Sequence, residues 1–309
     1  MDPVMHRLSS LVLGLVAAAA PLSAFAETAS TAVTPKAILV TGASTGIGRK
    51  IAEHLAADGY FVYAGARKDE DLKALSALKN VQGIRLDVTR QADIDAAVET
   101  VKKSGRGLYG LVNNAGIYSG ADIPQTSPEE FDLVMAVNVS GPWRMTRAFE
   151  PLIEASKGRI TNIGSISGIL AGGGESAYDM SKHAIEGFTD SLAAETAPLG
   201  IKVSIVEPGS YNSNILQNAA RRAGSAVTPE EGHQGKDPDE VAAAVEQALS
   251  EPNPKRRYLV VPVREQANIT IKAQIRQLVQ LNEGQPYTLD RDALVKLLDE
   301  ALAHSRPKT

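Results

Sequence analysis

The chain has 309 residues, 43% of them hydrophobic and 22% charged, with a net charge of −4 at pH 7. That is an ordinary globular make-up with room for a large core, and it supplies no basic field for nucleic acid. With no cysteine, disulfides, thiolate metal sites and a cysteine nucleophile are excluded, and the five histidines show no zinc-ligand spacing.

At the amino terminus, Arg7 precedes an unbroken apolar run from Leu11 to Ala20. Pro21 ends the run, and Ala24-Phe25-Ala26 follows. A basic start, a short apolar core and a small-x-small site are the order of a secretory signal. The run is shorter than the about 20 residues of a membrane span. Residues 1–26 are therefore read as an export signal cleaved after Ala26, and 27–35 as a polar linker. An exported or periplasmic protein is expected. The alternatives are a retained segment that tethers the chain to a membrane, or a cytoplasmic protein with a mis-chosen start.

Beyond the linker, short apolar runs alternate with segments of helical period. Strands are predicted at Ala37 to Val40, Phe61 to Ala64, Gly83 to Leu86, Gly110 to Val112, Arg159 to Ile163, Lys202 to Val206 and Tyr258 to Val261. Helices are read from Ile47, Ile51 and Leu55, from Leu72, Leu75 and Leu78, and from Ile94, Ala97, Val98 and Val101. Further helices are read from Pro128 into the 150s, around Tyr178 and Lys182, and from Asp237-Pro238-Asp239. This alternation predicts one doubly wound parallel sheet of Rossmann type, with helices on both faces, over residues 36–262. Helical patterns at Ile269 to Leu281 and Arg291 to Leu302 make residues 263–309 a C-terminal helical extension, a cap or an oligomer contact. Lys255, Arg256 and Arg257 are read as the solvated start of the last strand rather than a phosphate patch.

Two features carry chemistry. Thr41-Gly42-Ala43-Ser44-Thr45-Gly46-Ile47-Gly48 lies between a buried strand and an amphipathic helix. Its glycines permit a tight turn and close approach of backbone to a pyrophosphate, which the helix amides and dipole favour. Tyr178 and Lys182 stand four residues apart and share a helix face. A lysine ammonium beside a phenol, whose free pKa is about 10, is expected to lower that value and let it exchange a proton near neutral pH.

Together these motifs resemble the short-chain dehydrogenase/reductase family, nearest its retinol and hydroxysteroid branch. The glycine motif falls on Thr41 to Gly48, and Asn-Asn-Ala-Gly on Asn113 to Gly116. The helix asparagine falls on Asn138, the serine on Ser165, the tyrosine and lysine on Tyr178 and Lys182, and Pro-Gly on Pro208-Gly209. The resemblance covers residues 36–262 and implies hydride transfer between a nicotinamide dinucleotide and a carbonyl or secondary alcohol. It implies that Tyr178 transfers the proton, Lys182 stabilises the phenolate and binds the nicotinamide ribose, Ser165 holds the substrate oxygen, and Asn138 holds a water. It further implies cofactor contacts from Gly42, Ser44, Thr45, Gly46, Ile47, Gly48, Asp87, Val88, Asn114, Ala115, Gly116, Pro208 and Gly209. Ser213 takes the place of the family's usual threonine.

An acid at the end of the second strand marks NAD sites. Here Ala66 fills that slot and Arg67 follows. A guanidinium can grip a 2′-phosphate that an acid would repel, so NADP is favoured over NAD. Arg49, beside Gly48, is either a second phosphate contact or an exposed helix residue. Gly164-Ser165-Ile166-Ser167-Gly168 is not a hydrolase elbow, because Ile166 occupies the nucleophile position. A non-catalytic nucleotide sensor of the same fold is the alternative, opposed by the presence of both Tyr178 and Lys182. The resemblance also implies a small-molecule substrate and a homo-oligomer, with membrane contact only if the amino-terminal segment is retained.

Overall fold

The computed structural model describes residues 34–224 and 235–305. The predicted signal segment and nearly all of the linker lie outside the described residues. Seven strands form one parallel sheet: β1 Ala37–Val40, β2 Phe61–Ala66, β3 Val81–Arg85, β4 Gly110–Asn113, β5 Arg159–Ile163, β6 Lys202–Pro208 and β7 Arg257–Val260. Their order is β3-β2-β1-β4-β5-β6-β7. The chain works outward from β1 to β3, then returns beside β1 with β4. A crevice therefore opens at the carboxyl ends of β1 and β4, where Val40 pairs with Val112.

The helices are α1 Gly46–Ala57, α2 Asp69–Ser76, α3 Gln91–Lys103, α4 Pro128–Met135, α5 Gly141–Ala155, α6 Ser176–Thr196, α7 Ile215–Arg222, α8 Asp239–Ser250, α9 Arg264–Asn282 and α10 Arg291–Ser305. The side-chain period of two along a strand divides the core. Ile38 and Val40 pack into one cluster with Ile51, Leu55, Val241 and Val245 of α1 and α8. Ala37 and Leu39 pack into the other with Ile94, Met145, Phe149 and Ile153 of α3 and α5. None of the described helices is long and apolar enough to cross a membrane.

The predicted element boundaries shift at several places. β3 starts two residues before Gly83, because Val81 and Gln82 pair with Val62 and Tyr63. α2 ends at Ser76, leaving Leu78 packed on the core from the loop that follows. The predicted helix from Pro128 contains a π-turn, Ala136–Ser140, between α4 and α5.

Lys255, Arg256 and Arg257 enter β7 exposed, as expected, and Arg257 in addition reaches acids on α6 and β6. Its Nη2 donates to Asp190 Oδ2 at 2.7 Å and its Nε to Glu186 Oε2 at 3.1 Å, and it lies 3.6 Å from Glu207 Oε1. Glu207 is 2% exposed on β6, and its carboxyl feels the charge of Glu186 on α6. Two buried carboxyls beside one guanidinium cannot both ionise without cost, so one holds a proton. Burial, then the Glu186 charge, pushes Glu207 up to about 7.

The folded state thus retains this proton to a higher pH than the unfolded chain. The stability it contributes is complete below the ordinary carboxylate range and is lost as pH rises through about 7. Glu207→Gln removes that loss. Its melting temperature relative to the unmodified protein should rise between about pH 5 and pH 8, by roughly 2–4 °C per kcal/mol recovered. An offset that stays constant with pH in thermal melts would contradict this assignment.

Candidate active site

The glycine turn sits on the β1–β4 crevice and is tied across it. The Thr41 hydroxyl accepts from the amides of Asn114 at 3.0 Å and Ala115 at 2.9 Å. Asn114 Nδ2 in turn donates to the carbonyls of Thr41 at 2.9 Å and Gly42 at 3.1 Å. A Cβ at Gly42 would lie 2.8 Å from Ala115 Cα, and one at Gly48 would lie 2.3 Å from Asn114 Nδ2 and 2.4 Å from Gly42 O. Gly42 and Gly46 have φ of 65° and 57°, in the left-handed region. Thr45 caps α1 without a side-chain hydrogen bond, and the first turn of α1 carries no acid. These features fit a dinucleotide: backbone can approach a pyrophosphate closely, and the α1 amides are left for its oxygens. Ser44, Thr45 and Ile47 stand on this turn. Ser213 meets it from the far side, its Cβ 3.1 Å from where a Gly46 Cβ would be.

At the outer end of the crevice, Arg67 follows β2 and Asp87 and Val88 follow β3. Arg67 Nη1 lies 4.0 Å from Asp87 Oδ2, and the Arg67 side chain is 71% exposed. Of the acids that follow it, Asp69 pairs with Arg85 and Glu70 with Lys68. Asp87 Oδ1 accepts from the amide and hydroxyl of Thr89. Burial works against its charge, but these bonds and Arg67 hold it below the usual carboxylate range. Val88 is buried, packed so closely on α5 that a Cβ at Gly141 would lie 2.8 Å from it. Arg49 is bonded to Glu53 at 2.6 Å, one turn along α1.

Toward β5 the crevice gathers Asn138, Ser165, Tyr178 and Lys182. Tyr178 and Lys182 lie on α6, with Lys182 Nζ 5.6 Å from the Tyr178 ring centroid and donating to the Ile163 carbonyl at 3.0 Å. Ser165, in the turn after β5, stands close enough to the Tyr178 hydroxyl to act on its proton and accepts from Ser167 N at 3.1 Å. Asn138 lies in the π-turn. It grips Ile117 through N–H to Oδ1 and Nδ2 to carbonyl, both 2.8 Å, and donates to Ser181 Oγ at 2.9 Å. A Cβ at Gly116 would fall 3.6 Å from Asn138 Oδ1 and 3.9 Å from Lys182 Nζ.

The electrostatics reverse one expectation. Tyr178 is pushed up to about 12, by burial first and then by the charges of Glu175 and Asp179; Ser165 acts in the opposite direction. Burial outweighs the neighbouring lysine, whose ammonium the same enclosure pushes down to about 8. At neutral pH the phenol therefore keeps its proton.

The substrate side of the crevice holds residues that the sequence did not single out. The Tyr118 ring meets the Tyr178 ring edge-on at 5.0 Å, and the charge of Glu175 acts on its hydroxyl. Tyr118 falls two residues after Gly116, and that proximity to the motif was its available signal. Glu175 precedes α6 and looks in sequence like an ordinary helix-start acid. The Pro208-Gly209 turn ends β6, where Gln266 Oε1 of α9 accepts from Ser210 N at 3.1 Å. Farther along α9, Gln277 Nε2 reaches the Ile169 carbonyl at 3.5 Å. The C-terminal extension is thus fastened to the rim at two points.

Residues 36–224, more than half of the chain, match a model of the family described as short chain dehydrogenase. The chain belongs to the short-chain dehydrogenase family. It is 40% identical over 186 residues to the mitochondrial D-β-hydroxybutyrate dehydrogenase of Bos taurus, covering 57% of this chain and 54% of the relative. It is 31% identical over 253 residues to retinol dehydrogenase 5 of Mus musculus, covering 72% and 79%. Among solved structures, a variant of actinorhodin polyketide ketoreductase with NADPH matches with a TM-score of 0.66 and 30% identity, covering 73% of this chain and 95% of that one. The match spans about half the length of the hydroxybutyrate dehydrogenases.

Because a Cβ at Gly48 meets backbone and an engaged amide rather than a flexible side-chain tip, Gly48→Ala must displace the family's glycine turn. The variant is expected to lose about 1–3 kcal/mol of stability and most of its dinucleotide affinity. Melting and cofactor titration check both, and unchanged affinity would contradict the cradle.

Proposed function

We propose that this chain is an oxidoreductase that interconverts a carbonyl and a secondary alcohol using NADP(H). The observation that carries the reading is the Lys182 ammonium 5.6 Å from the Tyr178 ring centroid, with Ser165 acting on the Tyr178 hydroxyl, on the same crevice as the glycine turn. The nicotinamide, when bound, supplies or accepts the hydride. The remaining steps belong to the chain's own residues.

Ser165 directs its hydroxyl to the substrate oxygen and holds it beside Tyr178. Tyr178, protonated at neutral pH, donates to the oxygen as negative charge develops there, and takes the proton back in alcohol oxidation. Lys182, fixed by Ile163 O, stabilises the phenolate left behind and is placed to meet the nicotinamide ribose. The side-chain amide of Asn138 is committed to Ile117 and Ser181. Its role therefore falls to the main chain. In an α-helix the carbonyl of residue 138 would accept from the N–H of residue 142, and Pro142 has none. That carbonyl suits a water leading protons from Lys182 to solvent, and π-turns recur at functional sites.

The preference for NADP(H) is supported by Arg67, exposed at the end of β2, with Asp69 and Glu70 paired to other cations. Asp87, Val88 and Asn114 to Gly116 would line the adenosine side, and Ser213 the nicotinamide carboxamide.

Tyr178→Phe keeps the ring and its contact with Tyr118 but removes the transferable proton. Turnover of a ketone panel should fall about 10²–10⁴-fold, with cofactor affinity within a few-fold of the unmodified protein. Retained turnover would overturn the proton role. Arg67→Ala should weaken NADPH binding by about tenfold, the order of one charge-assisted bond, and leave NADH binding nearly unchanged. Equal losses in fluorescence titrations would overturn the cofactor preference.

A further inference from the structure

Acidic residues gather near Tyr178. Glu175 stands at the start of α6, three residues before Tyr178, and its charge acts on Tyr118, whose ring meets that of Tyr178. Asp179 follows Tyr178, and its Oδ2 accepts from Gly172 N at 3.0 Å, anchoring the glycine-rich rim. Asp122 faces the same rim, its Oδ1 3.8 Å from where a Gly174 Cβ would lie. The nearby cations are committed. Lys182 is 7% exposed and holds the Ile163 carbonyl. Arg222 donates to Tyr118 O at 2.5 Å and pairs with Glu130 at 3.0 Å. The opposite rim is half-buried Ile169 and Leu170, with the Gln277 amide above them.

We propose that Glu175, at the start of the helix that carries Tyr178, makes this site selective for uncharged carbonyl and alcohol substrates and against hydroxy acids and oxo acids. A substrate carboxylate a few ångströms from the reacting carbon would approach half-buried Glu175 and buried Asp179. Like charges there repel more strongly than in water, and Lys182 and Arg222 are held by other partners. A neutral substrate meets no such barrier and lays its apolar part on Ile169 and Leu170. The inference rests on the oxidoreductase reading above. It separates this chain from the hydroxy acid in the name of its 40% identical relatives.

The test compares pairs that share a reacting carbonyl and differ only in charge: acetoacetate with its ethyl ester, and 3-oxodecanoate with its methyl ester. Steady-state kcat/KM is measured with NADPH and NADH on the full chain. The ester of at least one pair should exceed its acid by tenfold or more. In Glu175→Gln, which keeps the size and hydrogen-bonding reach of the side chain, that ratio should shrink several-fold. It should shrink further in Glu175→Lys. Acid and ester used equally by the unmodified protein, or a ratio unmoved in Glu175→Gln, overturns the inference and leaves the oxidoreductase reading standing. No turnover of these or any other ketone with either cofactor overturns both.

Discussion

The rest of the site depends on a short set of hydrogen bonds that close the gap between β1 and β4. Where the strand order reverses, two adjacent parallel strands send their chains in opposite directions, and the ends would otherwise part. The Thr41 hydroxyl holds two amides from the β4 side, and the Asn114 amide holds two carbonyls from the β1 side. The glycine turn is thereby fixed against Ala115. Asn138, through its grip on Ile117, continues the same tie to the π-turn and to Ser181 of α6. The dinucleotide cradle and the proton-transfer residues are joined by one chain of buried polar contacts, each member of which has a partner.

Within that frame, enclosure decides the protonation state. A charge-pair argument alone favours ionised tyrosine beside ionised lysine. Burial acts on both members against charge, and the negative residues Glu175 and Asp179 act on Tyr178 in the same sense as burial. The resulting protonated phenol is a proton donor in waiting, which suits reduction of a carbonyl. The same reasoning applies to Glu186 and Glu207, two carboxyls that share one guanidinium behind the Ser165 turn. Glu186 Oε1 lies 3.0 Å from where a Cβ at Gly168 would be, so the acids support the turn from below.

The sheet was legible because its strands are short apolar runs bounded by turn residues, and parallel strands buried on both faces read as continuous apolar sequence. The site was legible where chemistry imposes spacing. Gly42 and Gly48 have no room for a side chain, and Tyr178 and Lys182 must share a helix face. What escaped depends on distance across the fold. The ion pairs of exposed Arg257 escaped because its partners Glu186 and Glu207 lie 71 and 50 residues away in sequence. Glu207, an acid in the apolar run Val203 to Pro208, was the available warning of a buried charge. Tyr118 and Glu175 gain meaning only when the β4 loop and the start of α6 converge. The attachment of α9 to the rim runs through Gln266 and Gln277, two glutamines with nothing in their surroundings to distinguish them.

The crevice has two ends with different tolerance for change. At the glycine turn, backbone packs on backbone, and a single added carbon forces the chain to move. At Arg67, a long side chain stands mostly in solvent on a loop whose own hydrogen bonds run through main-chain atoms and Arg85. A substitution at the glycine turn must therefore move the main chain, whereas one at Arg67 can be made without disturbing the fold.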